Sequence, residues 1–267
     1  MKAKVAASVA AVAVLSALAL TAGCTAGAPD RVDDKEANGD RRDTGRVLST
    51  DQLRHAELGP REVPGFQIER ASIGTAGHGR PRTDSAPCRP LVALLGSRPQ
   101  PAPAASVVNT FAKAGDGHHF DGLLGTIRVS AYDRDGAAAT LKQLRLAAAA
   151  CADGFAMTTG EGEQQTFKAV QTLEPPSLGD EAVAYRLANV AEKAPSLVTV
   201  VRTGSNLSLF FATSLSDPEG VEIPRELVEA QVGKIEKLAN AERVPTAPPS
   251  PSTLVAPEGG EAGDSVE

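Results

Sequence analysis

The residues best suited to chemistry form the run Asp116-Gly117-His118-His119-Phe120-Asp121. Two imidazoles and two carboxylates are a ligand set that can hold zinc. Adjacent histidines on a strand point to opposite faces, so His118 and His119 could share one ion only from an irregular loop. Glycines at 115, 117 and 122 favour such a loop, and the run reads more simply as a solvated hairpin turn. Gly179-Asp180-Glu181 offers an acidic pair for general acid–base work. At a turn entering a strand, Asp180 is better placed to bond nearby backbone N–H groups. Thr203-Gly204-Ser205 lacks the closing glycine of a Gly-x-Ser-x-Gly elbow, and no Walker or Rossmann fingerprint is present. His55 falls in a charged stretch and His78 in a glycine-rich one, both read as solvated. No catalytic residue, bound metal or cofactor is therefore expected, and the chain reads as non-enzymatic.

The first residues carry a different chemistry. Lys2 and Lys4 precede an uncharged run from Val5 to Leu20, closed by Thr21-Ala22-Gly23-Cys24. This is a signal-peptide layout, too short for a stable membrane span. The closing residues resemble the lipobox of bacterial lipoproteins, with Leu20 one position early and Thr21 in the usual leucine slot. The resemblance implies cleavage before Cys24 and a diacylglyceryl thioether on its sulfur. The anchor then rests on chain number, because one acyl chain holds a protein marginally and two hold it stably. The expected location is the outer face of the cell membrane. Removing residues 1–23 takes away two lysines and changes the balance from −6 to 25 − 33 = −8. Such an acidic chain, with no basic stripe, excludes nucleic acid as a partner class.

With Cys24 lipidated, Cys88 and Cys151 remain as one pair in an oxidising compartment, where disulfides persist. The alternative is two separate buried thiols. A bridge would leave no cysteine nucleophile.

These residues need elements to position them. Residues 24–59 are rich in Asp, Arg, Gly and Ala and read as a disordered tether; residues 241–267 read as a disordered tail, proline-rich and then acidic. Between them, residues 60–240 suit one domain. Alternation marks strands at 66–69, 107–113 and 123–132, the last with Ile127, Val129 and Ala131 on one face and Arg128, Ser130 and Tyr132 on the other. A short helix at 91–95 follows Cys88 and Pro90. A second, capped by Asp133 or Asp135, runs to about Ala150 with the stripe Ala137, Leu141, Leu144, Ala148 and Cys151. Further strands fall at 167–170, 182–187, 197–201 and 207–211, the last two joined through the five residues 202–206. Pro224 opens a final helix. The pattern predicts an α+β fold, a mostly antiparallel sheet with helices packed on one side.

The order of these pieces, with Ala149-Ala150-Cys151-Ala152-Asp153-Gly154-Phe155, the Gly179-Asp180-Glu181 step and the hairpin around Val201-Arg202-Thr203-Gly204, resembles the extracellular sensor domain of actinobacterial PknH-type kinases and of stand-alone lipoproteins that share it. The resemblance covers residues 60–240 and implies an α+β fold with a cleft over the sheet for an unidentified ligand. One departure is that the kinase domains carry two disulfides where this chain can make one. The nine aromatic residues, without tryptophan, argue against a glycan-binding surface. At Phe210-Phe211 one ring is expected in the core and the other on the opposite sheet face, where it could line a groove for a small apolar ligand. The reading is a membrane-anchored extracytoplasmic binding or sensing module for a ligand or an envelope protein. The alternatives are a structural lipoprotein without ligand and a metal-dependent enzyme using His118 and His119.

Overall fold

The computed structural model describes residues 47–71, 79–96, 99–115, 120–191, 194–217, 219 and 221–243. Eight strands form one antiparallel sheet: β1 (Phe66–Arg70), β2 (Ala105–Ala114), β3 (Phe120–Ala131), β4 (Phe155–Thr158), β5 (Gln164–Leu173), β6 (Glu181–Asn189), β7 (Ser196–Thr203) and β8 (Asn206–Ser214). Their order is β1-β2-β3-β8-β7-β6-β5-β4. Four helices complete the fold: α1 (Thr50–Ala56), α2 (Arg89–Leu95), α3 (Gly136–Ala150) and α4 (Arg225–Arg243).

The α+β class and the antiparallel sheet are as expected, but helices cover both faces rather than one. Along β7 and β8 successive positions are apolar, so neighbours enter different cores. Val200 and Leu209 pack with Leu91, Val92, Leu141 and Leu144 from α2 and α3. Val201 and Phe210 pack with Leu53 of α1 and Leu227, Val232 and Ile235 of α4. Strands buried on both faces read as continuous apolar runs, which hides the second layer from an alternation argument.

The tether expectation for residues 24–59 fails at its C-terminal end. Ser49 and Gln52 form a reciprocal capping box, Ser49 Oγ accepting from the Gln52 N–H and Gln52 Oε1 accepting from the Ser49 N–H at 3.3 and 2.8 Å. Leu48, Leu53, Ala56 and Leu58 are all buried. Gln231 Nε2 donates to the Ala56 carbonyl at 2.7 Å and Lys234 Nζ to the Glu57 carbonyl at 2.6 Å, which ties α1 to α4. Two smaller corrections concern turns. The connection between β7 and β8 is the two residues Gly204-Ser205, with Gly204 at φ +60°, not five residues. Asp135 occupies the N-cap of α3, yet its side chain makes no capping bond.

Cys88 and Cys151 are joined in a disulfide with Cα atoms 5.9 Å apart. Cys88 is the N-cap of α2 and Cys151 the C-cap of α3, so the bridge links those two helix ends. The expected signal peptide, Cys24, the tether through residue 46, His78, His118, His119 and the tail from residue 244 lie outside the described residues.

Candidate functional site

Gly179-Asp180-Glu181 is a structural latch. Gly179 takes φ +62°, and a Cβ there would lie 2.4 Å from the Arg202 carbonyl oxygen. Asp180 Oδ2 accepts from the Gly204 N–H at 2.7 Å and from Arg202 Nη1 at 3.1 Å. Glu181 accepts from Arg145 of α3 and from Arg202 Nε at 3.3 Å. The bond from the Arg145 guanidinium, reinforced by its charge and by Arg202, holds the Glu181 carboxyl below its ordinary value despite partial burial. Both acids are thus occupied in fastening the β7–β8 turn and α3 to the start of β6.

The other expected candidates are dispersed. His55 is exposed in the last turn of α1. Asp121, beside the histidine pair in sequence, makes an ion pair with Lys113 at 3.0 Å across the β2–β3 hairpin. Among the described residues no group of three or more His, Cys, Asp or Glu is placed to hold a metal. Burial pushes the Tyr185 phenol up to about 12, so it stays protonated near neutrality.

Phe210 and Phe211 separate as expected. Phe210 is fully buried beneath α1 and α4, whereas Phe211 is half-buried on the opposite face. There the strand register sets out two adjacent rows. Thr110, Thr126, Phe211 and Val198 lie side by side across β2, β3, β8 and β7, and Val108, Arg128, Leu209 and Val200 form the next row. Cross-strand partners share a face, so these rows are one surface. Over it lies a cavity of about 440 Å³, within the ~300–1,000 Å³ usual for small-molecule sites. Leu94, Leu95 and Gly96 at the end of α2 form one wall, and Met157 and Phe167 of β4 and β5 another. Phe167 stacks on Phe155 with ring centroids 4.9 Å apart, which stiffens that wall. Residues beside Pro81 close a further side: Arg82 bridges to Thr158, and Thr83 Oγ1 donates to the Ala156 carbonyl at 2.6 Å.

Arg128 is the residue that sequence reasoning passed over. It was visible as a polar position on β3, but its surroundings required the register of β2 and β8. Its guanidinium donates to the Leu94 carbonyl at 3.3 Å and the Gly96 carbonyl at 2.7 Å, fixing the end of α2 to the sheet. Burial lowers its pKa, and an arginine remains cationic near neutrality even so. A second cavity, about 640 Å³, lies on the α4 face. Its walls are largely the connecting segments 173–178 and 219–223, and of its two arginines Arg225 is paired with Glu229 and Arg186 donates to the Glu219 carbonyl. The groove over Phe211 is the better-built site, because strands and a pinned helix end define it.

No helix among the described residues is long and apolar enough to cross a membrane. No protein-family model matches the chain. No curated protein matches it either. Among solved structures it is similar to the extracellular domain of PknH from Mycobacterium tuberculosis, at 11% identity and a TM-score of 0.45, covering 74% of this chain and 99% of that one. It is also similar to an uncharacterised protein of Mycobacterium smegmatis (the Rv0999 ortholog), at 13% identity and a TM-score of 0.29, covering 72% and 94%.

Proposed function

We propose that this chain is a non-enzymatic binding or sensing module, held at the extracytoplasmic face of the cell membrane by lipid on Cys24, with the groove over Phe211 as its ligand site. The observation that carries the reading is the row Thr110–Thr126–Phe211, a sheet surface that α2 and α3 leave partly uncovered beside the core that buries the neighbouring Val198. An apolar floor with a few inward polar groups is suited to holding a ligand and lacks the paired nucleophile and base that turnover needs. The Cys24 anchor rests on the lipobox-like Thr21-Ala22-Gly23-Cys24, and the outer location on that leader and the disulfide.

The test is a melting screen of the purified protein against lipids, cell-wall fragments and metal ions. A ligand at one hundred times its dissociation constant adds about 2.7 kcal/mol, which at ~2–4 °C per kcal/mol raises the midpoint by about 5–11 °C. Stabilisation by an apolar compound, lost in Phe211→Asp, is the expected result. No shift with any compound would leave a structural or interaction lipoprotein without a ligand.

A further inference from the structure

We infer that the groove takes an amphiphile with an anionic head, its chain lying along the Phe211 row and its head group at Arg128. This rests on the reading of the groove as a ligand site and adds the class of ligand. The chain-binding part follows from the walls: Leu95, Met157, Phe167, Val198, Leu209 and Phe211 present carbon to the cavity. From β3, which carries Arg128, to β7 the floor spans two interstrand spacings, about 10 Å at ~4.8 Å each, room for much of a medium-length alkyl chain. At ~30 Å³ per water, the 440 Å³ cavity holds about fifteen waters, which such a chain would release.

The head-group part follows from charge. Among the described residues, Arg128 and Glu161 are the charged side chains lining the cavity. Glu161 is exposed on the turn after β4, and no ion pair joins the two among the described residues. Arg128 donates to two carbonyls of α2, while a guanidinium carries five N–H groups in a planar fork suited to carboxylate and phosphate. No Arg128 nitrogen is buried without a partner among the described residues, and the side chain lines the groove. A cation half-withdrawn from water, paired among the described residues with carbonyls and no carboxylate, gains most from an anion that enters beside an apolar chain. A neutral lipid would leave that gain unused, and a cationic one would meet repulsion.

The experiment is competition against a fluorescent fatty-acid analogue bound to the purified protein, below the micellar range. Competitors are dodecanoate, dodecanol, dodecyltrimethylammonium and butyrate. Dodecanoate should compete about tenfold or more better than dodecanol, the worth of one charge-assisted contact, with the cationic amphiphile and butyrate weakest. Because Arg128 also holds α2, Arg128→Gln is paired with Thr126→Glu, which keeps that hold and sets a carboxylate beside the guanidinium on the same face. In both variants dodecanoate should lose its advantage over dodecanol, whatever loss the two compounds share. Equal competition by all three amphiphiles in the wild type would overturn the anionic preference and leave the groove reading standing. Butyrate matching dodecanoate would overturn the amphiphile. Failure of every compound, the fluorescent analogue included, would sink the groove reading itself.

Discussion

Breaking the Cys88–Cys151 bridge should lower stability by about 4 kcal/mol without unfolding the protein at room temperature. The bridge closes 63 positions, and the loop-closure entropy 2.1 + 1.5R ln 63 comes to about 14 cal/mol/K, or ~4 kcal/mol at 25 °C. For a folded unit of this size each kcal/mol moves the midpoint by ~2–4 °C, so a loss of about 8–16 °C is expected. The helices it joins stay packed through Leu91, Val92 and Leu94 against Leu141, Leu144 and Ala148, all in one buried cluster. The assay is a melting series of oxidised wild type, reduced wild type, Cys88→Ala, Cys151→Ala and the double variant. If the cross-link supplies the stability, each single variant loses nearly as much as the double, because either one removes the bridge. Additive losses from the two single variants would instead point to local packing of two sulfurs each 2% exposed. A reduced wild type melting within about 2 °C of the oxidised protein would refute the entropy argument outright.

Two further outcomes are expected. Cys24→Ser should move the protein from the membrane fraction to the soluble one, since on the proposed reading the acyl chains sit on that sulfur; detergent partitioning reads this, and a variant as firmly bound as wild type would end the anchor proposal. Glu181, held below its ordinary carboxyl value chiefly by Arg145, contributes stability that is present above its unfolded value and lost as pH falls through the folded one. Glu181→Gln should therefore be less stable than wild type at pH 7 and lose less on acidification from pH 6 to 3, as urea midpoints would show.

Much of the fold was legible because strands announce themselves locally. Phe66 and Ile68 alternate with Gln67 and Glu69, and β1 follows; the Ala137–Cys151 stripe marked α3 with its cysteine on the buried side. Helix α1 was not legible, since Leu48, Leu53 and Ala56 are sparse among charged neighbours. What holds them is distant, Gln231 and Lys234 reaching main-chain carbonyls some 175 residues away in sequence. Strand β4 has four residues, too few to show a period. Asp180 does accept from a backbone N–H, but from that of Gly204, 24 residues on in the β7–β8 turn, so the kind of partner was legible locally and its identity was not. Arg128 had no such local signature. Its role depends on lying between Val108 and Leu209 in register and under the end of α2, which are three separate long-range facts.

The difference between Phe210 and Phe211 then comes down to one short helix. On the Phe210 face α4 runs 19 residues, about 28 Å at 1.5 Å each, and with α1 it covers Phe210. On the Phe211 face α2 runs 7 residues, about 10 Å, and stops at Gly96. That stop is built in. A Cβ on Gly96 would lie 2.4 Å from the Pro81 ring, so the chain passes Pro81 only as glycine. The start of the same helix is held by the disulfide and its end by Arg128. A wall fixed at both ends loses little freedom when a ligand arrives, which leaves more of the apolar contact energy for affinity. It also joins the two halves of the molecule's chemistry. Reduction of Cys88–Cys151 frees one end of the helix whose other end Arg128 of β3 pins beside the groove, so ligand affinity and disulfide state should be coupled through α2.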